Sequence, residues 1–162
     1  MPLMKTLFIA ALAILLISSE LPGQTYREID EKGLLELTEK QNDTTYIINF
    51  WATWCSPCVK EIGNFEQLYR DSQGKKIGVI LVSLDFPNQA EKRVIPFLKE
   101  KGITAPVALM TNLRYNDWID KVDPSWSGAI PATLVYRNDK RVFLEKELTA
   151  TELLENVNQM MN

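Results

Sequence analysis

Histidine is absent from all 162 residues of the chain. Without imidazole there can be no Ser-His-Asp triad, no Cys-His protease, no HExxH zinc hydrolase and no imidazole-rich copper or iron centre. Cysteine is nearly absent too, Cys55 and Cys58 being the only two. Two thiols build neither a disulfide framework nor a cysteine-only zinc site within one chain. Charge of either sign is in short surplus: 18 Lys plus Arg stand against 21 Asp plus Glu, a net charge of -3. With no long basic run, the chain lacks the electrostatic footprint for phosphate backbones or anionic lipid, and no nucleic-acid partner is expected. Internal repeats and low-complexity tracts are also missing. What remains, 46% hydrophobic and 24% charged residues, is the composition of a single soluble domain able to bury a core without staples.

Apolar runs are short. The longest uncharged one, Leu7 to Ile17, follows Lys5 and precedes the small residues Ser18 and Ser19. This is signal-peptide grammar, and the run falls short of the ~20 residues of a spanning helix. Residues 1–19 are therefore expected to be an export signal cleaved between 19 and 23, with an uncleaved anchor as the alternative. No cysteine follows the run to carry a lipid. The folded domain is expected over 24–162.

Beyond Leu21-Pro22-Gly23, apolar residues among charges predict a short amphipathic helix over 27–40, weakened by Gly33. Thr44 to Trp51 is β-branched and aromatic without polar alternation, as in a strand buried on both faces. Val59, Ile62, Phe65, Leu68 and Tyr69 then recur at spacings of three and four, one apolar face of a helix running from Cys58 to Arg70 and stopped by Gly74. A second buried strand is expected over 77–84. A helix over 89–101 follows, kinked or delayed by Pro96. Val107 to Met110 reads as a short strand and Leu113 to Val122 as a short helix. A hairpin is expected from 132–137 and 141–146, before a last helix capped by Thr149. The alternation implies an α/β sandwich with a parallel part and an antiparallel hairpin.

The chemistry centres on Trp54-Cys55-Ser56-Pro57-Cys58. Two thiols two residues apart, where a buried strand ends and a helix begins, can close and reopen a disulfide without moving the scaffold. Unpaired N–H groups and the positive end of the helix dipole stabilise a thiolate there, which makes Cys55 the attacking sulfur and Cys58 the resolving one. Pro57 fits the first helical turn, where its missing N–H is not needed. Half of a zinc site shared with another chain, or an inert disulfide, would be the alternatives.

Asn49 to Cys58 resembles the active-site segment of thioredoxin-fold proteins, and is most similar to the extracytoplasmic TlpA/ResA-type thiol-disulfide oxidoreductases. The resemblance implies a three-layer α/β/α thioredoxin-like sandwich with a central mixed sheet and an insertion before a cis-proline hairpin. Asn49 stands where cytosolic thioredoxins carry a buried Asp, in keeping with the export signal, and so removes that proton shuttle. Glu61, three positions after Cys58 and on the same helical side, matches the group's acidic residue and is the candidate proton partner, an exposed helix charge being the alternative. Gly63 departs from a proline common in the group. Gly128 to Thr133 is similar to the segment whose cis proline faces the disulfide, which implies a cis Ile130-Pro131 bond and strand-type docking of substrate on the Ile130 backbone. Substrate binding is then assigned to Trp54, Ser56, Pro57, Ile130 and Pro131. Trp51, Trp54, Phe86 and Trp126 are candidates for an apolar rim, Trp54 foremost, while core packing is the expected role of Phe86 and Trp126.

The resemblance implies a monomeric periplasmic or otherwise extracytoplasmic reductant of protein disulfides, fed by a membrane electron donor and serving cytochrome c maturation or envelope thiol repair. No cofactor and no resident metal is expected. An oxidase or isomerase, and a non-enzymatic polypeptide- or Cu(I)-binding module, stay open as alternatives.

Overall fold

The structure, a computed structural model, describes residues 25–162. The expected signal segment and its cleavage region lie outside the described residues.

Strand β2 (Thr45–Trp51) is almost wholly buried, as its run of β-branched and aromatic residues requires, because both of its faces are covered. It pairs in parallel with β3 (Ile77–Ser83) and antiparallel with β5 (Ala132–Arg137). Beyond β3 lies β4 (Val107–Met110), then β1 (Arg27–Ile29); beyond β5 lies β6 (Lys140–Leu144). The six strands form one mixed sheet in the order β1-β4-β3-β2-β5-β6. Helices α2 (Ser56–Asp71), α3 (Ala90–Lys101) and α5 (Ala150–Met161) send Ile62, Phe65, Val94, Leu98, Leu153 and Val157 into the core on one face. Helices α1 (Glu31–Thr38) and α4 (Ile119–Val122) bury Leu34, Leu37, Ile119 and Val122 on the other. The result is the expected α/β/α sandwich.

Several expectations need correction. The helix expected over 27–40 begins only at Glu31, because Arg27–Ile29 pairs with Ala108–Met110 as an edge strand. Asp30 caps the helix by accepting a hydrogen bond from Gly33 N–H at 2.9 Å. Gly33 lies within that helix: a Cβ there would lie 3.1 Å from Ile29 Cβ, so the glycine permits the close strand-to-helix turn. Helix α2 starts earlier than expected, with Cys55 itself as its N-cap, and ends at Asp71 with Ser72 as its C-cap. Pro96 sits inside α3, which runs from Ala90 to Lys101 after a 3-10 turn at Pro87–Gln89. The helix expected over 113–122 is a 3-10 turn at Tyr115–Asp117 followed by α4. The second hairpin strand begins at Lys140 and ends at Leu144. Thr149 caps α5 as expected, in a reciprocal capping box with Glu152.

The 111–131 connection is the insertion before the hairpin. It is anchored by Trp118 and Trp126, whose rings meet at 5.6 Å, and Trp126 also lies 4.5 Å from the Phe50 ring.

Candidate active site

Cys55 and Cys58 are joined as a disulfide where β2 gives way to α2. Cys55, in extended conformation, ends the loop, and its Sγ accepts a hydrogen bond from the Cys58 backbone N–H at 3.3 Å. That donor is one of the orphan N–H groups of the helix start, so negative charge building on Cys55 sulfur meets a positive dipole end. Cys55 is 6% exposed and Cys58 fully buried. An incoming group therefore reaches Cys55 first. Ser56 and Pro57 are exposed in the first helical turn. The Ile130–Pro131 peptide bond is cis, and the Ile130 carbonyl oxygen lies 3.7 Å from Cys55 Sγ. Ile130 is half-buried and Pro131 buried, so the residue beside the sulfur presents its backbone while the proline supports it.

Behind the disulfide lies a buried polar network. Glu61 is 1% exposed, and so is not the solvated helix charge that its type would suggest. Its Oε1 accepts a hydrogen bond from Asn49 Nδ2 at 2.9 Å, and its Oε2 one from the Leu148 backbone N–H at 2.5 Å. Asn49 Nδ2 also donates to Thr133 Oγ1 at 3.1 Å, because the β2–β5 register sets Asn49 directly opposite Thr133. Burial raises the Glu61 pKa to about 7, against the opposing pull of the Leu148 and Asn49 hydrogen bonds. Asn49 Oδ1 is buried and has no protein partner. An acid poised near neutrality one helical turn from Cys58 can take up and return a proton at ordinary pH.

The loop between β2 and Cys55 is held by a second carboxylate. Asp85 is fully buried. It accepts hydrogen bonds from the Thr53 backbone N–H at 3.0 Å, the Thr53 hydroxyl at 2.5 Å and the Ser83 hydroxyl at 2.8 Å. Thr53 is thus pinned to the end of β3, and Trp54 projects from a fixed backbone.

Trp54 is 53% exposed and Phe86 52%. The structure removes Trp51 from the rim, since it is fully buried and packs against Phe97 with ring centroids 5.2 Å apart. Trp126 is core, as expected, but Phe86 is surface, because it sits in the turn after β3 where no layer covers it. Sequence reasoning missed Asp85, Thr133 and Leu148. Thr133, two residues after Pro131, was within reach of a register argument; the backbone of Leu148 carries no sequence signal. Among the described residues, no three or more Cys, Asp or Glu side chains converge as for a metal ion.

Comparison with known proteins agrees with this geometry. Residues 20–143 match the AhpC/TSA family. Over 144 residues the chain is 26% identical to the thiol-disulfide oxidoreductase ResA of Geobacillus thermodenitrificans, covering 88% of this chain and 70% of that one. It is 39% identical over 84 residues to the ResA of Oceanobacillus iheyensis, covering 52% of this chain and 41% of the relative. A thioredoxin-related protein from Neisseria meningitidis serogroup B superimposes with a TM-score of 0.63 at 24% identity, over 75% of this chain and 86% of that structure.

Proposed function

The chain belongs to the AhpC/TSA family and is a thiol-disulfide oxidoreductase of thioredoxin-like fold, and from that premise we propose that it reduces disulfides of extracytoplasmic proteins. Cys55 thiolate attacks one sulfur of a substrate disulfide, forms a mixed disulfide and expels the other substrate sulfur as a thiolate. Cys58 gives its proton to the Glu61 carboxylate and attacks Cys55 Sγ. The Cys55–Cys58 disulfide closes, the second substrate sulfur leaves, and two electrons have passed from the dithiol to the substrate. A dithiol donor must then restore the pair. The observation that carries this reading is the disulfide at the start of α2 with its reachable sulfur beside the Ile130 carbonyl. The raised pKa of buried Glu61 supports the proton step.

The substrate docks in extended form on the Ile130 backbone, between Trp54 with Ser56 and Pro57 on one side and Pro131 on the other. Export is supported by the pattern of residues 1–19, and among the described residues no helix is long and apolar enough to cross a membrane. A membrane protein fits as electron donor, and cytochrome c maturation or envelope thiol repair as the process served.

The reading is tested by equilibrating the protein with a dithiol buffer and by trapping. A reduction potential near or below about -250 mV is expected, whereas one near -120 mV would make it an oxidant. Cys58→Ser should accumulate a mixed disulfide through Cys55. If no mixed disulfide forms, the order of attack is wrong.

A further inference from the structure

The segment leading into the cis proline is held by a carboxylate that takes no part in the sulfur chemistry. Glu145 follows β6 in the connection to α5. Its Oε1 accepts hydrogen bonds from the Ala129 N–H at 3.0 Å and from the Ser127 hydroxyl, and its Oε2 accepts one from the Ser127 N–H at 3.2 Å. Gly128, between those two residues, has a φ of +94°, a conformation that side chains resist and that lets both flanking N–H groups reach one anion. The Ala129 carbonyl is held as well, by the Trp126 indole N–H at 2.8 Å. The next residue is Ile130.

The segment that carries Glu145 is itself fastened to the cysteine helix. Lys60 pairs with Glu147 at 2.6 Å, Glu61 accepts from the Leu148 N–H, and Asn64 Nδ2 donates to the Leu148 carbonyl at 3.0 Å. A chain of direct contacts therefore runs from α2 through residues 147–148 and Glu145 to Ser127, Ala129 and Ile130. Burial pushes the Glu145 carboxyl up, but the hydrogen bonds from Ser127 and Ala129 together outweigh it and hold the carboxyl below the usual range.

We infer that Glu145 is the positioning residue of the polypeptide-docking edge: by fixing Ser127 and Ala129 against the cysteine helix it holds the Ile130 backbone in line for an extended substrate. The inference rests on the reading of Ile130 as that edge. It separates two properties that share one site. Attack by Cys55 depends on the helix start, and its resolution by Cys58 depends on Glu61, whereas recognition of a polypeptide around the target disulfide depends on Glu145. A small disulfide that needs no backbone docking is indifferent to it.

The test compares the parent protein with Glu145→Ala and Ser127→Ala, using insulin as polypeptide disulfide and 5,5′-dithiobis(2-nitrobenzoate) as small disulfide. Losing the charge-assisted bonds to two N–H groups should lower the rate of insulin reduction about tenfold. The reaction with the small disulfide and the reduction potential should stay within about twofold of the parent's. Ser127→Ala removes only the hydroxyl bond and should show a smaller loss on insulin alone. Equal losses on both disulfides would mean that Glu145 merely supports the dithiol, and unchanged insulin reduction would mean that it positions nothing; either overturns the inference. A parent protein that attacks the small disulfide but not insulin overturns the docking edge itself, and Glu145's role with it.

Discussion

Replacing Glu61 with glutamine should change how stability depends on pH. In the folded protein the carboxyl titrates near 7, against 4.5 when it is free in solvent. Below pH 4.5 both folded and unfolded chains hold the proton, and Glu61 makes no difference. As pH rises from 4.5 to 7 the unfolded chain releases the proton while the folded one keeps it, so stability falls with rising pH and levels off above about 7. A gap of about 2.5 pH units at ~1.4 kcal/mol each amounts to about 3 kcal/mol. Glutamine cannot ionise, so this slope should vanish in Glu61→Gln. Its amide still offers one acceptor to Asn49 or Leu148, and its NH2 group can meet Asn49 Oδ1 if that amide turns, since the oxygen has no other protein partner. Whatever that rearrangement costs is constant in pH. Urea unfolding of the oxidised parent and variant from pH 4.5 to 8 isolates the slope, with the stability difference moving by about 3 kcal/mol in favour of the variant. Parallel curves would show that Glu61 ionises normally in the folded protein, and its assignment as proton partner of Cys58 would fall with them.

Two other substitutions separate core from surface among the aromatic residues. Trp126→Ala opens a cavity among Phe50, Trp118 and Phe143 and frees the Ala129 carbonyl, so urea unfolding should register a loss of about 3–5 kcal/mol; a loss below 1 kcal/mol would place the ring outside the core. Trp54→Ala removes a side chain that is 53% exposed, so its unfolding midpoint should match the parent's while insulin reduction slows several-fold, and an unaltered rate would dismiss Trp54 as a substrate contact.

The strand, the CxxC pair and the helix after it were legible because each announces itself locally. A β-branched run, a spacing of sulfurs and a 3.6-residue periodicity need no knowledge of the rest of the chain. Glu61 was found by its offset from Cys58, but its burial was not, because its partners, the Asn49 side chain and the Leu148 N–H, arrive from distant elements. The strand at Arg27–Ile29 is too short to show a period of two, and it exists because β4 offers it an edge. Trp51 and Phe86 were misjudged in opposite directions for one reason: residue type predicts an aromatic ring's affinity for the core, but the layer of helices decides which rings are covered. Trp51 lies under α3 and Phe86 lies just before it.

The β2–β5 pairing also bears on how faithfully the chain reaches its folded state. Thr133 bonds to Asn49 on the side of α2, and on the opposite side the Tyr136 hydroxyl donates to the Leu37 carbonyl at 2.5 Å and accepts from the Lys40 N–H at 3.3 Å. A one-residue slip of β5 would exchange its faces, carrying Thr133 into the apolar cluster around Phe50 and Trp126 and driving the Tyr136 ring toward α2. The misaligned chain would forfeit both pins at once. The buried Asn49–Glu61–Thr133 network thus doubles as a key that only the correctly registered hairpin can turn, and a molecule that has misfolded at β5 also lacks the buried surroundings of Glu61.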